Sequence, residues 1–263
     1  MVMRDFVRGA CLLGSVLAFA LSAGSGDAAT PAAAGNQGQS WDAIKTLPAF
    51  TGVYELARGR GAPTDGRRDT HAVYTPAGAA QLKAYQATQA AIRAKGGTDD
   101  KQTANCLPPG MPQIMDQPYP IEVLLTPGKV TLIQEAYMQV RHIYTDGRPH
   151  PEDPDLTFNG DSIGHWEGDT LVIDTVGLAP ESILEDGVQH SEKMRIVERW
   201  RLSDPNVLEI RTRIEDPGVL AQPWEYVGRY ARHADWHIAE YICEQNNRNS
   251  VNEKGEAGIR ITQ

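Results

Sequence analysis

From residue 121 to residue 244 the sequence is a succession of short alternating segments, each closed by a tight-turn signal. That punctuation restricts the chain to an antiparallel β fold. Segments 121–125 and 129–135 flank Thr126-Pro127-Gly128, and segment 140–144 runs into Asp146-Gly147. Segments 162–166 and 170–175 flank Glu167-Gly168-Asp169, and 193–202 and 207–215 flank Asp204-Pro205-Asn206. Segments 224–232 and 237–244 meet at a turn near Ala234-Asp235. With 52–56 this makes about ten short strands, and a twisted sheet of that size hides its edges by closing. The fold class predicted is all-β and antiparallel, a lipocalin-like closed barrel or strongly curved sheet of about 8–10 strands. One helix precedes them at 76–95: Pro76 suits a first turn, Ala, Gln and Leu dominate, and Gly96-Gly97 ends the pattern.

Residues 1–29 read as a secretory leader. Arg4 and Arg8 precede an apolar run from 9 to 21, and small residues follow, with cleavage expected between 23 and 29. The apolar run falls short of the roughly 20 residues that a membrane-spanning helix needs, so no stable membrane insertion is expected after cleavage. Residues 30–45 read as a linker and 46–263 as a single β-barrel-like domain. The destination is periplasmic or secreted. In 263 residues, 25 Lys and Arg stand against 34 Asp and Glu, a net charge of −9. With no basic block, the chain lacks the footprint of a nucleic-acid binder or of a polybasic lipid anchor. Cys11 leaves with the leader, and Cys106 and Cys243 remain. In an oxidising compartment they form either one disulfide or two separate buried thiols.

Strand alternation places some polar side chains on apolar faces. Met194, Ile196 and Trp200 share a face with Glu198; Ile238 and Ile242 share one with Glu240; Ile133 shares one with Glu135. Asp174 points inward if Val172 does and outward if Leu171 and Ile173 face the core. A carboxylate in an apolar interior must be paired, hydrogen-bonded or neutral. Two readings follow: salt bridges to arginines such as Arg141, Arg199 or Arg229, or a pocket whose carboxylates do acid–base work. His190, beside Ser191 just ahead of the Glu198 strand, is placed for a cavity rim. Gly160-Asp161-Ser162-Ile163-Gly164 matches a nucleophile pattern, but a strand and hairpin follow it where a nucleophile elbow needs a helix. His233 and His237 flank a turn, which argues against a metal pair, and no metal or cofactor is expected.

Several blocks resemble a broad family of uncharacterised exported bacterial proteins. They are Cys106-Leu-Pro-Pro-Gly-Met-Pro112, Arg141-His-Ile-Tyr-Thr-Asp-Gly-Arg-Pro-His150-Pro and Gly160-Asp-Ser-Ile-Gly-His-Trp-Glu-Gly-Asp-Thr-Leu-Val-Ile-Asp-Thr175. His190-Ser191, Glu198-Arg199, Asp216-Pro217 and Glu240-Tyr-Ile-Cys-Glu244 complete the likeness. The chain departs from the family pattern at His142, and His233 and His237 have no counterpart in it. The resemblance implies export and one domain rather than a particular reaction. Its motif positions include Arg141, Tyr144, His150, Asp174, His190, Glu198 and Glu240.

The leading expectation is thus an exported barrel with an interior pocket for a small organic molecule, doing metal-independent acid–base chemistry as a lyase, isomerase or hydrolase. His190 and Glu198 would exchange the proton, and Arg141 would hold an anionic or carbonyl group. Asp174, Glu240, Tyr144 and His150 would bind and orient the substrate. The alternatives are a lipocalin-like carrier of a hydrophobic metabolite and a structural envelope protein with paired charges.

Overall fold

A computed structural model describes residues 38–57, 71–98, 106–185, 187–243, 250–251 and 257–260, with backbone alone at 97–98 and from 250 onward. The leader lies outside the described residues. In chain order the elements are α1 (Trp41–Ile44), β1 (Gly52–Leu56), α2 (Pro76–Arg93), β2 (Gly97–Thr98), β3 (Ile121–Thr126), β4 (Lys129–Gln134) and β5 (Gln139–Tyr144). Then come β6 (Asp161–Glu167), β7 (Thr170–Val176), β8 (Ile183–Glu185), β9 (Val188–Gln189), β10 (Arg195–Asp204), β11 (Val207–Glu215), β12 (Trp224–His233), β13 (Ser250–Val251) and β14 (Ala257–Arg260). Nine of the strands close a barrel in the order β1-β12-β11-β10-β7-β6-β5-β4-β3, with β3 pairing back onto β1.

The closed barrel matches the fold read from the sequence, and the hairpins at Thr126-Pro127-Gly128, Glu167-Gly168-Asp169 and Asp204-Pro205-Asn206 form at their expected turns. One pairing does not fit an all-antiparallel scheme. β5 and β6 run parallel, and only Ile143↔Ser162 and Tyr144↔Ile163 are in register. The connection between them, residues 145–160, carries Pro149, Pro151 and Pro154 and returns the chain to the end it left. It therefore acts as a crossover where a hairpin would have reversed direction.

Two further expectations are corrected. Residues 237–242 form no strand, because both edges of β12 are already taken by β11 and β1, so a following hairpin strand has nothing to join. β4 turns Leu132 and Gln134 inward, which sends Ile133 and Glu135 to the outer face, where Glu135 accepts a hydrogen bond from Ala239 N at 2.8 Å. Within the expected linker, residues 41–44 form one helical turn capped by Ser40. Helix α2 starts as expected, with the Thr75 hydroxyl accepting from Gly78 N at 3.2 Å, and it buries only Gly78 and Gln89.

Inward residues of alternating strands fill the barrel: Tyr54, Val123, Leu132, Ile143, Leu171, Ile173, Ile196, Trp200, Leu208 and Ile214 are all fully buried. The proline-rich segment 106–120 adds to this core. Its Met111, Ile114 and Met115 are buried against the barrel residues, and Tyr230 donates to Met115 O at 3.0 Å. Gly110 allows this insertion: its φ of +71° suits a residue without Cβ, and a side chain there would strike Ser182. The segment is tied at its start by a disulfide between Cys106 and Cys243, with Cα atoms 5.7 Å apart and 137 positions between them in sequence.

A cross-link over so long a loop constrains the unfolded chain strongly. Replacing both cysteines by serine is expected to cost about 3–5 kcal/mol in urea unfolding. Unreduced, denatured protein should incorporate no alkylating reagent at Cys106 or Cys243 by mass spectrometry.

Candidate functional site

Two charged side chains meet inside the barrel. Arg141 on β5 and Glu198 on β10 are both 1% exposed and form an ion pair through Arg141 Nη2 and Glu198 Oε2. The guanidinium is satisfied further: Nε donates to Ser162 Oγ at 3.1 Å and Nη2 to Thr175 Oγ1 at 2.8 Å, while Nη1 faces Met111 Sδ at 3.8 Å. The other carboxylate oxygen accepts from Trp200 Nε1 at 3.2 Å. Strand alternation supplies all of these groups, one inward residue each from β5, β6 and β7 and two from β10. A charge taken out of water is tolerated only when its lone pairs and protons are met in this way. The space left beside Glu198, bordered by Met111, Met115, Thr212 and Tyr226, is about 10 Å³, room for roughly one water.

The larger opening lies outside the barrel wall. Where β5 and β6 pair over only two residues, the strands part and leave a groove of about 580 Å³. Val140, His142 and Tyr144 line it from the outer face of β5; Leu156, Asn159 and Asp161 line it from the crossover and the start of β6. Val140 and Leu156 are 47% and 55% exposed, large apolar side chains held in water on the two walls of one groove. The parallel register puts His142 and Asp161 at neighbouring positions across the seam. Burial and the nearby Lys129 charge both hold the His142 imidazole below the usual histidine value, so it is neutral at pH 7.

Asp161 is fixed from behind. His150, in the crossover, donates from Nδ1 to Asp161 Oδ1 at 2.5 Å, and its Nε2 stands 3.5 Å from Asp174 Oδ2 on β7. Asp174 is gripped in turn by Arg195, Nε to Oδ1 at 2.7 Å and Nη2 to Oδ2 at 2.6 Å. Two charge-assisted pairs, His150–Asp161 and Arg195–Asp174, therefore lie side by side on the outer surface, with His150 Nε2 facing Asp174 but not hydrogen-bonded to it. Beside them the Arg148 guanidinium covers the Tyr144 ring at 3.9 Å.

The residues singled out from sequence thus divide into three groups. Arg141 and Glu198 meet inside the barrel. His150, Asp174 and Tyr144 lie on its outer face, with Leu171 and Ile173 taking the inward positions on β7. His190 and Glu240 join neither group. His190 presents Nδ1 to Ser191 O and Nε2 to Ala179 O, both at 2.8 Å, so its ring edges are engaged with main chain, while Glu198 is engaged with Arg141 and Trp200. Glu240 is exposed in the irregular segment after β12. Ser162 sits inside β6 against Arg141 and Thr175, and no elbow forms. His233 stacks on Trp236 at 3.7 Å. Among the described residues no group of three or more His, Cys, Asp or Glu is arranged to hold a metal ion.

Sequence reading missed Val140, His142, Leu156, Asn159 and Asp161 as a set. The outward stripe of β5 was legible from alternation, but nothing in it announces that its neighbour runs parallel and parts from it. No family model and no curated protein matches the chain, so the functional reading rests on these residues.

Two outcomes are expected. Glu198→Gln, which leaves Arg141 buried without its counter-charge, should cost about 3–5 kcal/mol in urea unfolding, and Arg141→Met combined with Glu198→Gln should cost less than the two single changes added. In an NMR pH titration the His142 ring should show a midpoint below the ordinary value of about 6.5. Lys129→Met, which removes a repelling charge, should move that midpoint upward.

Proposed function

We propose that the protein is an exported small-molecule-binding protein whose site is the groove at the β5–β6 seam, with His142 and Asp161 as its proton-transferring pair. The observation that carries this reading is the groove itself, of a volume typical of small-molecule sites and lined by exposed Val140 and Leu156 beside His142, Tyr144 and Asp161. The apolar walls suit an aromatic or branched aliphatic body, and the His142–Asp161 end suits a hydroxyl or other hydrogen-bonding group. A neutral imidazole accepts a proton, and a carboxylate oriented by His150 receives or returns one, so the chemistry asks for no metal. Arg141 is not the anion-holding group in this reading, since Glu198 already neutralises it. Export rests on the leader pattern and the family resemblance, and it accords with the disulfide, a cross-link that persists in oxidising extracytoplasmic spaces. Among the described residues no helix is long and apolar enough to cross a membrane.

One observation favours a second reading, a structural envelope protein: the barrel core is filled and its buried charges are paired. The interior carrier has less support, because the void beside Glu198 has space for about one water and none for a metabolite.

Chemical-shift mapping with phenol and benzyl alcohol as probes separates the three. The groove reading predicts saturable shifts at residues 139–144 and 157–162, weakened several-fold in Leu156→Asp, a change at an exposed position that spares the core. Saturable shifts at Trp200 and Ile196 would replace it with the carrier, and no saturable shift anywhere would leave the structural role.

A further inference from the structure

One short stretch of the barrel has an unused strand edge. Residues 139–142 of β5 pair with β4 along one side, but on the other side pairing with β6 begins only at Ile143 and Tyr144. In a strand the N–H and C=O of one residue point the same way, and successive residues alternate. Thr145 N donates to Gly128 O, so the odd-numbered residues of β5 serve β4, and Val140 and His142 turn their main-chain groups toward the seam. The Val140 carbonyl agrees with this, since it accepts from Asn159 Nδ2 across the gap at 3.4 Å. The N–H groups of Val140 and His142 have no hydrogen-bond partner among the described residues.

The Asn159 side chain holds this gap loosely. Its Nδ2 also reaches Gln139 Oε1, at 3.5 Å; both contacts are at the long end of the hydrogen-bond range, and the buried Oδ1 has no partner among the described residues. A carboxamide imitates one peptide group: it meets one carbonyl of the edge and leaves both N–H groups unmet. An edge of this kind takes an extended peptide, whose main chain repeats donors and acceptors at the spacing of the strand. Val140 and Leu156, on the two walls, offer an apolar place for one of its side chains.

The charges at the two ends of the groove differ in sign. At the Asn159 end the crossover carries Glu152, Asp153 and Asp155, all exposed and in no ion pair among the described residues. Pro154 and Asp155 pack on Gly177, just past the β7 partner of Asp161, which keeps this stretch at that end. At the other end Lys129, opposite Tyr144 in the ladder, is likewise in no ion pair, while Arg148 and Asp146 cancel each other. Asp161, between the ends, is engaged by His150.

We propose that the ligand of this groove is a short peptide with free termini, added to β5 as a parallel strand with its ammonium toward Asp155 and its carboxylate toward Lys129. A tetrapeptide, about 13 Å long when extended, is sufficient. Its first carbonyl accepts from Val140 N–H, and its third residue donates to Val140 O, in place of Asn159, and accepts from His142 N–H. This assignment rests on the seam groove being the binding site and names the class of molecule it takes.

The test is an NMR titration of the full chain with the peptide Thr-Val-Val-Thr, with the same peptide N-methylated at its third residue, and with its N-acetylated, C-amidated form. The proteins are the wild type and Lys129→Met, a change at an outward position of β4. The free peptide should bind the wild type saturably and move the amide protons of Val140 and His142 downfield. The N-methylated peptide, which has lost a donor, should bind about tenfold or more weakly. Lys129→Met should weaken the free peptide several-fold and leave the capped one unchanged. An N-methylated peptide that binds as well as its parent, a Lys129→Met protein that binds the free peptide as the wild type does, or binding that leaves Val140 and His142 unmoved would each overturn the proposal. Benzyl alcohol shifts at the seam without peptide binding would overturn the peptide and keep the groove; no saturable shift at the seam from either probe would overturn both.

Discussion

The Arg141–Glu198 pair decides what the rest of this barrel can do. Each partner alone would be an unacceptable buried charge; together, with Ser162, Thr175 and Trp200 meeting the remaining donors and acceptors, they are a satisfied core element. That satisfaction has a consequence for function. The one arginine suited by position to hold a ligand inside the barrel is already neutralised, and Met111 and Met115 from the disulfide-tied segment occupy the remaining space. Interior polarity, which in a lipocalin-like barrel would suggest a pocket, is here taken up by contacts among these side chains.

The opening lies instead where the barrel's pairing is weakest. Eight of the nine interfaces are antiparallel, and the exception, β5 against β6, is held by two register positions and a crossover. The same Arg141 spans this seam from within by bonding Ser162, while His150 ties the crossover to β6 from outside by bonding Asp161. The groove is therefore a defect in strand pairing with reinforced walls. Ligand sites in closed barrels are usually sought at the mouth or in the lumen, and here the wall offers more room than the lumen.

The strand pattern was readable because alternation and turn chemistry are local. The turns at Thr126-Pro127-Gly128, Glu167-Gly168-Asp169 and Asp204-Pro205-Asn206 name themselves, and the placing of Glu198 follows from Met194, Ile196 and Trp200 alone. Short or irregular segments gave less. The single apolar residue pair Ile238 and Ile242 suggested a strand that barrel closure had no edge to accept, and one residue of register error in β4 put Glu135 on the wrong face. What sequence could not show is which nonlocal edges meet. The parallel seam, and with it the adjacency of positions 142 and 161 in register, arises from a crossover whose prolines read only as a loop.

The barrel lumen is filled and its buried Arg141 and Glu198 charges are paired, while the outer wall at the β5–β6 seam is open. Hydrogen exchange followed by NMR, with and without benzyl alcohol, tests this contrast most directly. The account predicts that the Trp200 indole N–H, buried against Glu198, exchanges only through global unfolding and is indifferent to the probe, while amides of residues 139–142 and 157–160 gain protection when it binds. A Trp200 indole that exchanges rapidly in the native state, or that gains protection from the probe while the seam does not, would contradict it and return the site to the interior.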